Sequence, residues 1–251
     1  MDAWVIAVLT LSALCAGTID AIAGGGGLIT LPALLTAGLP PHVALGTNKG
    51  QSVWGSGAAM IEFARAGRID RRQAALTFPL GFVGSLAGAQ LVLLIDRDAL
   101  RPIVIALLMG AAVLLLVRKP SRTDDVTAHR LVRTFGVPAL ALAIGAYDGF
   151  FGPGTGTFLI VGFVTLCGRS LVHATADAKV VNFASNLAAV AAFSAEGTVR
   201  WEIALPMAAA QLVGGILGAR LAMKGGTRLI RIAVVAVSGA LVVKLAYDVV
   251  S

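Results

Sequence analysis

Residues 20–50 read DAIAGGGGLITLPALLTAGLPPHVALGTNKG, and residues 148–179 read DGFFGPGTGTFLIVGFVTLCGRSLVHATADAK. Laid over one another, Asp20 meets Asp148, and the Gly24–Gly27 run meets Gly152-Pro153-Gly154-Thr155-Gly156. His42 and His173 then precede Lys49 and Lys179 by seven and six residues. The register persists further on: Phe63 and Gly67 match Phe193 and Gly197, and GAQL at 88–91 matches GARL at 218–221. The chain is therefore a duplicated unit of about 125 residues.

Each unit is mostly apolar. Of 251 residues, 57% are hydrophobic and only 13% charged, with a mean hydropathy of +0.88; soluble domains carry about a quarter charged residues. This composition describes an all-α polytopic membrane protein. Apolar stretches fall at 3–22, 27–38, 43–64, 73–95, 102–117, 132–148, 154–167, 173–195, 202–222 and 229–247. A crossing needs roughly 20 residues, so 27–38 and 154–167 are short for spans. The first stretch starts at Trp4 with no Lys or Arg before it, and LSALC lacks the small residue that a lipoprotein cleavage site wants, so a retained helix is expected. Cys15 and Cys167 sit in apolar stretches without a CxxC or Cys/His companion. Buried, inert thiols are expected, with no disulfide framework and no metal site.

Charge sets the orientation. The 20 Lys and Arg against 13 Asp and Glu give +7, and the basic residues gather in short loops, where they orient helices in the bilayer rather than bind nucleic acid. The loop holding Arg65, Arg68, Arg71 and Arg72 is strongly basic, whereas its counterpart Glu196–Arg200 is nearly neutral. In the next pair, Asp96-Arg97-Asp98 with Arg101 is balanced, while Arg220, Lys224, Arg228 and Arg231 are positive. Equivalent loops on opposite sides predict two inverted repeats, residues 1–119 and 132–251. They are joined by a cytoplasmic linker, 120–131, with Arg118, Lys119, Arg122, Arg130 and Arg133 in or beside it. Five segments in each half satisfy these signs and put both termini outside. Inverted repeats are an architecture of secondary transporters, whose substrate sits at midplane between discontinuous helices.

The glycine runs predict where the helices break. Dense glycine and Pro153 both destabilise a helix, and backbone groups freed in lipid must line a cavity or bind something. A new helix start at Leu28 or Thr155 offers unpaired N–H groups and a positive dipole end, which suits an anion. Gly25, Gly26, Gly27, Gly154, Thr155 and Gly156 are candidate binding residues on this ground. The alternative is that small residues only let helices pack closely.

A lysine deep in a bilayer costs at least about 2.5 kcal/mol and usually faces a cavity or the bundle interior. Lys49 has Thr47, Asn48, Gln51 and Ser52 nearby; Lys179 has Asn182, Ser185 and Asn186. Lys49 and Ser52 share one helical face, as do Lys179 and Asn182. Two such faces would converge on a polar chamber with two ammonium groups, a fit for a small oxyanion. Two lysines left unpaired there would repel, so a carboxylate partner or the loss of a proton is expected when no anion is bound. In the competing reading the lysines form structural ion pairs with Asp20, Asp148, Asp177 or Glu62, or snorkel to an interface. Asp20, Asp148, His42 and His173 are candidates for coupling a proton or cation, or for gating, the histidines more simply as entrance or capping groups.

GGGGLITLPALLTAGLPPHVALGTNKGQS and DGFFGPGTGTFLIVGFVTLCGRSLVHATADAKVVNFASN resemble the sulfite exporter TauE/SafE family of membrane permeases. The likeness extends over nearly the whole chain. It implies transport of a sulfur-containing anion such as sulfite, sulfoacetate, thiosulfate or a related sulfonate across the bacterial inner membrane, with seven to nine spans. A membrane-embedded enzyme using Lys49 or Asp148 is the alternative from another class, but no nucleophile–base pair, HExxH or Asp-rich metal motif is present. An anion channel would use the same residues as a transporter. No cofactor is expected; the partners are a small anion, lipid and a coupling proton or cation.

Overall fold

The computed structural model describes residues 2–117 and 135–250, with side chains described at 2–96, 99–100, 102–111 and 135–225. The linker 120–131 and Arg118, Lys119, Arg122, Arg130 and Arg133 lie outside these residues, as do the side chains of Arg228 and Arg231. Among the described residues the fold is all-helical. The first half holds α1 (Ala3–Ala23), α2 (Gly27–Thr36), α3 (Pro41–Arg65), α4 (Arg71–Leu93) and α5 (Arg97–Val117). The second holds α6 (Val137–Phe150), α7 (Thr155–Cys167), α8 (Leu171–Ala195) and α9 (Trp201–Val250).

Local chemistry sets these boundaries. Gly24 ends α1 in the left-handed conformation, φ 81°, with its N–H on the Asp20 carbonyl. Gly154 opens α7 at φ 86°, so both glycine runs interrupt the helices as expected. Pro41 occupies the first position of α3, where its missing N–H costs nothing. The Asp70 carboxylate caps α4 by accepting from the N–H groups of Arg72 and Gln73.

At each break the chain turns back. Leu9 and Ala13 of α1 share one apolar cluster with Leu31 and Leu34 of α2, and Gly162 of α7 lies against Leu140 of α6. The short segments are thus the return arms of two helical hairpins rather than further spans. Apolarity alone made them resemble membrane crossings.

The halves are interlocked. Gly84 and Gly88 of α4 press on the carbonyls of Leu142 and Ala146 of α6, and Gly214 and Gly218 of α9 press on those of Leu14 and Thr18 of α1. Each contact is the counterpart of the other, so each half's first helix is gripped by the other half's glycine stripe. α3 and α8 cross the centre in opposite directions: the early Gly46 of α3 meets Thr198 just past α8, and the later Gly57 meets Phe183. The loop after α3 therefore packs beside the start of α8, with Phe63 and Ile69 near Val172 and Ala176. The loop after α8 packs at the other end, with Val199 near Ala44 and Leu45.

Leu11, Trp54, Ile61, Val83, Leu91, Leu205 and Leu217 are exposed around the outside, a surface suited to lipid. By length and apolarity, Ala3–Ala23, Arg71–Leu93, Leu171–Ala195 and Trp201–Gly225 can each cross a bilayer. α3 has 25 residues, but its interior carries Thr47, Asn48, Lys49 and Gln51, all buried. Two expectations are corrected. The stretches 202–222 and 229–247 belong to one continuous helix, because a glycine pair such as Gly225-Gly226 lowers helix propensity by about 1 kcal/mol each without blocking a hydrogen bond. Cys15 is exposed, since it lies on the outward face of α1, whereas Cys167 is buried.

Candidate functional site

The two hairpins meet tip to tip. A Cβ placed on Gly24 would strike the backbone of Gly156 and Thr157, and one placed on Gly27 would come within 3.3 Å of Pro153. The Thr157 hydroxyl donates to the Ala23 carbonyl at 2.7 Å, tying the tips together. Only glycine permits backbones to approach so closely.

A polar cavity lies at this junction. Asp20, Gly24, Gly26 and Gly27 line it from the first hairpin, and Asp148, Gly152, Thr155 and Gly156 from the second. α3 adds Asn48, Lys49 and Ser52, α8 adds Asn182 and Asn186, and α9 adds Gln211. α2 and α7 both begin here, so their positive dipole ends face it.

Lys49 is 1% exposed. Its Nζ lies 2.8 Å from Asp148 Oδ1 and donates to Asn186 Oδ1 at 3.2 Å. Asp148 also accepts from the Thr155 hydroxyl at 2.8 Å and from the Ser185 hydroxyl. In the matching arrangement Lys179, wholly buried, holds the Asp20 carboxylate at 2.8 Å and also donates to the Asp20 carbonyl. Asp20 Oδ1 accepts from the Gly26 N–H at 3.3 Å. Each lysine therefore pairs with the hairpin aspartate of the other half. The amides are ordered as well: Asn186 donates to Asn182 Oδ1 at 2.7 Å, and the Thr30 hydroxyl of α2 donates to Asn48 Oδ1 at 2.6 Å.

The symmetry of the sequence is not matched by equal access. Lys49 lines the cavity and Lys179 does not, because Asp20 stands between them. The cavity faces two carboxylates and one ammonium, and the four groups together are neutral.

Other expected site residues lie elsewhere. Gly25 and Gly154 belong to the breaks without lining the cavity. The Thr47 hydroxyl accepts from the Arg200 N–H at 3.1 Å, at one end of the bundle. His42 Nε2 is 3.2 Å from the Val92 carbonyl, joining the start of α3 to the end of α4, and His173 Nδ1 is 2.9 Å from the Ser170 hydroxyl, within the first turn of α8. Asp177 and Glu62, weighed as lysine partners, bind arginines instead: Arg169 at 2.8 Å and Arg220 at 2.7 Å. Gln211 was not foreseen. Its carboxamide oxygen sits against both Gly17 and Gly55, and an amide alone in the apolar run AAAQLVGG was the signal for it.

An ionised, neutral-summing chamber inside a helical bundle with an apolar exterior defines the class: a multi-pass membrane protein that shelters a polar site within the bilayer. The chain belongs to the sulfite exporter TauE/SafE family, whose pattern, described as "Sulfite exporter TauE/SafE", matches residues 9–245. It is 42% identical over 245 residues to the probable membrane transporter protein ORF9 of a Sinorhizobium species, covering 97% of this chain and 93% of that one. It is 41% identical over 246 residues to the probable membrane transporter protein YfcA of Escherichia coli K12, covering 97% and 90%. A probable membrane transporter protein of Haemophilus influenzae is 39% identical over 243 residues, covering 97% and 95%. No solved structure matches the chain significantly. The protein is a membrane transporter of this family, embedded in the bacterial inner membrane with several passes.

Proposed function

We propose that the protein is a secondary transporter of a small sulfur-containing anion such as sulfite, sulfoacetate, thiosulfate or a related sulfonate. The anion binds where the hairpin tips of two inverted repeats meet. One observation carries this reading: an ammonium, that of Lys49, is buried in the membrane-embedded core and faces a cavity lined by glycine backbone, amides, the hydroxyls of Ser52 and Thr155 and the carboxylates of Asp20 and Asp148. A compact ammonium suits the oxygens of a sulfite or sulfonate group. The opposed course of α3 and α8 and the exchanged glycine contacts support inverted repeats.

The cavity is about 20 Å³, room for a water molecule. This corresponds to a closed state, and an anion enters as the tips part and Lys49 leaves Asp148. The closed tips favour alternating access over an open pore.

Thermal unfolding of the purified protein with sulfite, thiosulfate, sulfoacetate, sulfate and simple carboxylates tests the assignment. A ligand at 100 times its Kd stabilises the native state by about 2.7 kcal/mol. Stabilisation by sulfur oxyanions is the expected result. Stabilisation by carboxylates alone, or by none of these anions, overturns it.

A further inference from the structure

We infer that each anion enters the site together with a proton, and that Asp148 is the group that carries it. This rests on the anion-transport reading above and adds the coupling ion to it.

Charge must balance in the buried site. In the closed state Lys49 is neutralised by Asp148 and Lys179 by Asp20. An arriving monoanion that takes over the Lys49 ammonium leaves the Asp148 carboxylate 2% exposed and without its cation, held by the neutral hydroxyls of Thr155 and Ser185. A net buried charge is expensive, and a carboxyl group so placed meets the cost by binding a proton. The N–H contact from Lys49 to Asp148 breaks, N–H contacts to the anion form, and a proton released by the buffered solvent joins the Asp148 carboxylate. The sum remains zero. When the anion leaves, the proton leaves and the ion pair re-forms.

The neighbours of Asp148 fit this role. Facing it are Lys49 from α3, Thr155 from α7 and Ser185 from α8. α4 meets α6 through Gly84, Ser85 and Gly88, without a charged group. Lys179 is engaged by Asp20, and the hydroxyl of Tyr147, next to Asp148 in the chain, donates a hydrogen bond to the Pro153 carbonyl. Lys49 is thus the cation whose departure changes the state of Asp148. The two hydroxyls can accept from the protonated acid as readily as they donate to the carboxylate. Asp20 differs: its side chain is 19% exposed, and its cation, Lys179, does not line the cavity.

Isothermal titration of the purified full-length protein with methanesulfonate, and separately with thiosulfate, in buffers of different ionisation enthalpy counts protons taken up per anion. Neither probe titrates near neutral pH. About one proton per methanesulfonate is expected, with affinity falling about tenfold per unit rise in pH. For thiosulfate, one proton or more supports the inference and zero overturns it. Asp148→Asn should bind without proton uptake and with affinity indifferent to pH, while Asp148→Glu should restore the proton count. Wild-type binding with no proton uptake, or an unchanged count in Asp148→Asn, sinks the coupling while leaving anion transport standing. If no anion binds the wild-type protein, the transport reading falls and this one with it.

Discussion

Replacing Lys49 with glutamine tests whether the buried pair is a single energetic unit. The side chains of Lys49 and Asp148 are 2% and 3% exposed and 2.8 Å apart. Removing one partner of such a pair leaves an uncompensated buried charge, at a cost of about 3–5 kcal/mol. For a chain of this size, each kcal/mol moves the melting temperature by roughly 2–4 °C, so Lys49→Gln should melt roughly 6–20 °C lower. This is larger than the pattern of charges alone suggests, because a lone lysine in a cavity could be replaced at little cost. Asp148→Asn should cost a similar amount. The double variant leaves no charge and should be no less stable than either single variant, giving a coupling well beyond the about 0.5 kcal/mol scatter of independent sites. Thermal unfolding of the four proteins in detergent reads all of this. Additive single costs would refute the reasoning.

Lys179→Gln should lose comparable stability, yet weaken anion binding less than the about 10- to 150-fold expected for Lys49→Gln, the scale of a charge-assisted hydrogen bond of about 1.5–3 kcal/mol; equal losses would mean that both lysines reach the anion. Gly156→Ala should separate the hairpin tips and abolish transport, because its Cβ would strike Gly24, whereas Gly110→Ala, with nothing within 4 Å, should behave as wild type in vesicle uptake. Single cysteines at Gly67 and Gly197, both in open loops, should react with an impermeant maleimide from opposite sides of the membrane, Gly67 from the cytoplasm. Labelling from one side only would exclude inverted repeats.

Much of the architecture could be read because it rests on residues that resist other uses. Consecutive glycines are poor helix formers, so Gly24–Gly27 and Gly152–Gly156 announced the breaks. The offset between them announced the duplication. Helix limits such as 43–64 against Pro41–Arg65 and 173–195 against Leu171–Ala195 followed from where apolar runs end in charge. A break does not say whether the chain continues or returns, however, and the hairpins depend on the close approach of Gly26 to Ala16 and Asp20 and of Gly162 to Leu140. Asp20 and Asp148 were recognisable as partners in sequence, but their crossing over to the lysine of the other half is a tertiary fact. The unequal access of Lys49 and Lys179 was invisible for a related reason, since a duplicated sequence carries no trace of which copy a given conformation exposes.

The exchanged pairing also sets a problem of timing during synthesis. Lys49 enters the membrane machinery 99 residues before Asp148 is made, and Asp20 waits 159 residues for Lys179. At about 5–20 residues per second, the first interval is about 5–20 s and the second about 8–32 s. Through those seconds the amino-terminal helices hold unmatched charge and have no second hairpin to close on. The nascent first half must therefore linger in the wet interior of the insertion apparatus, or let Lys49 ride near the lipid headgroups, until translation delivers its counterion.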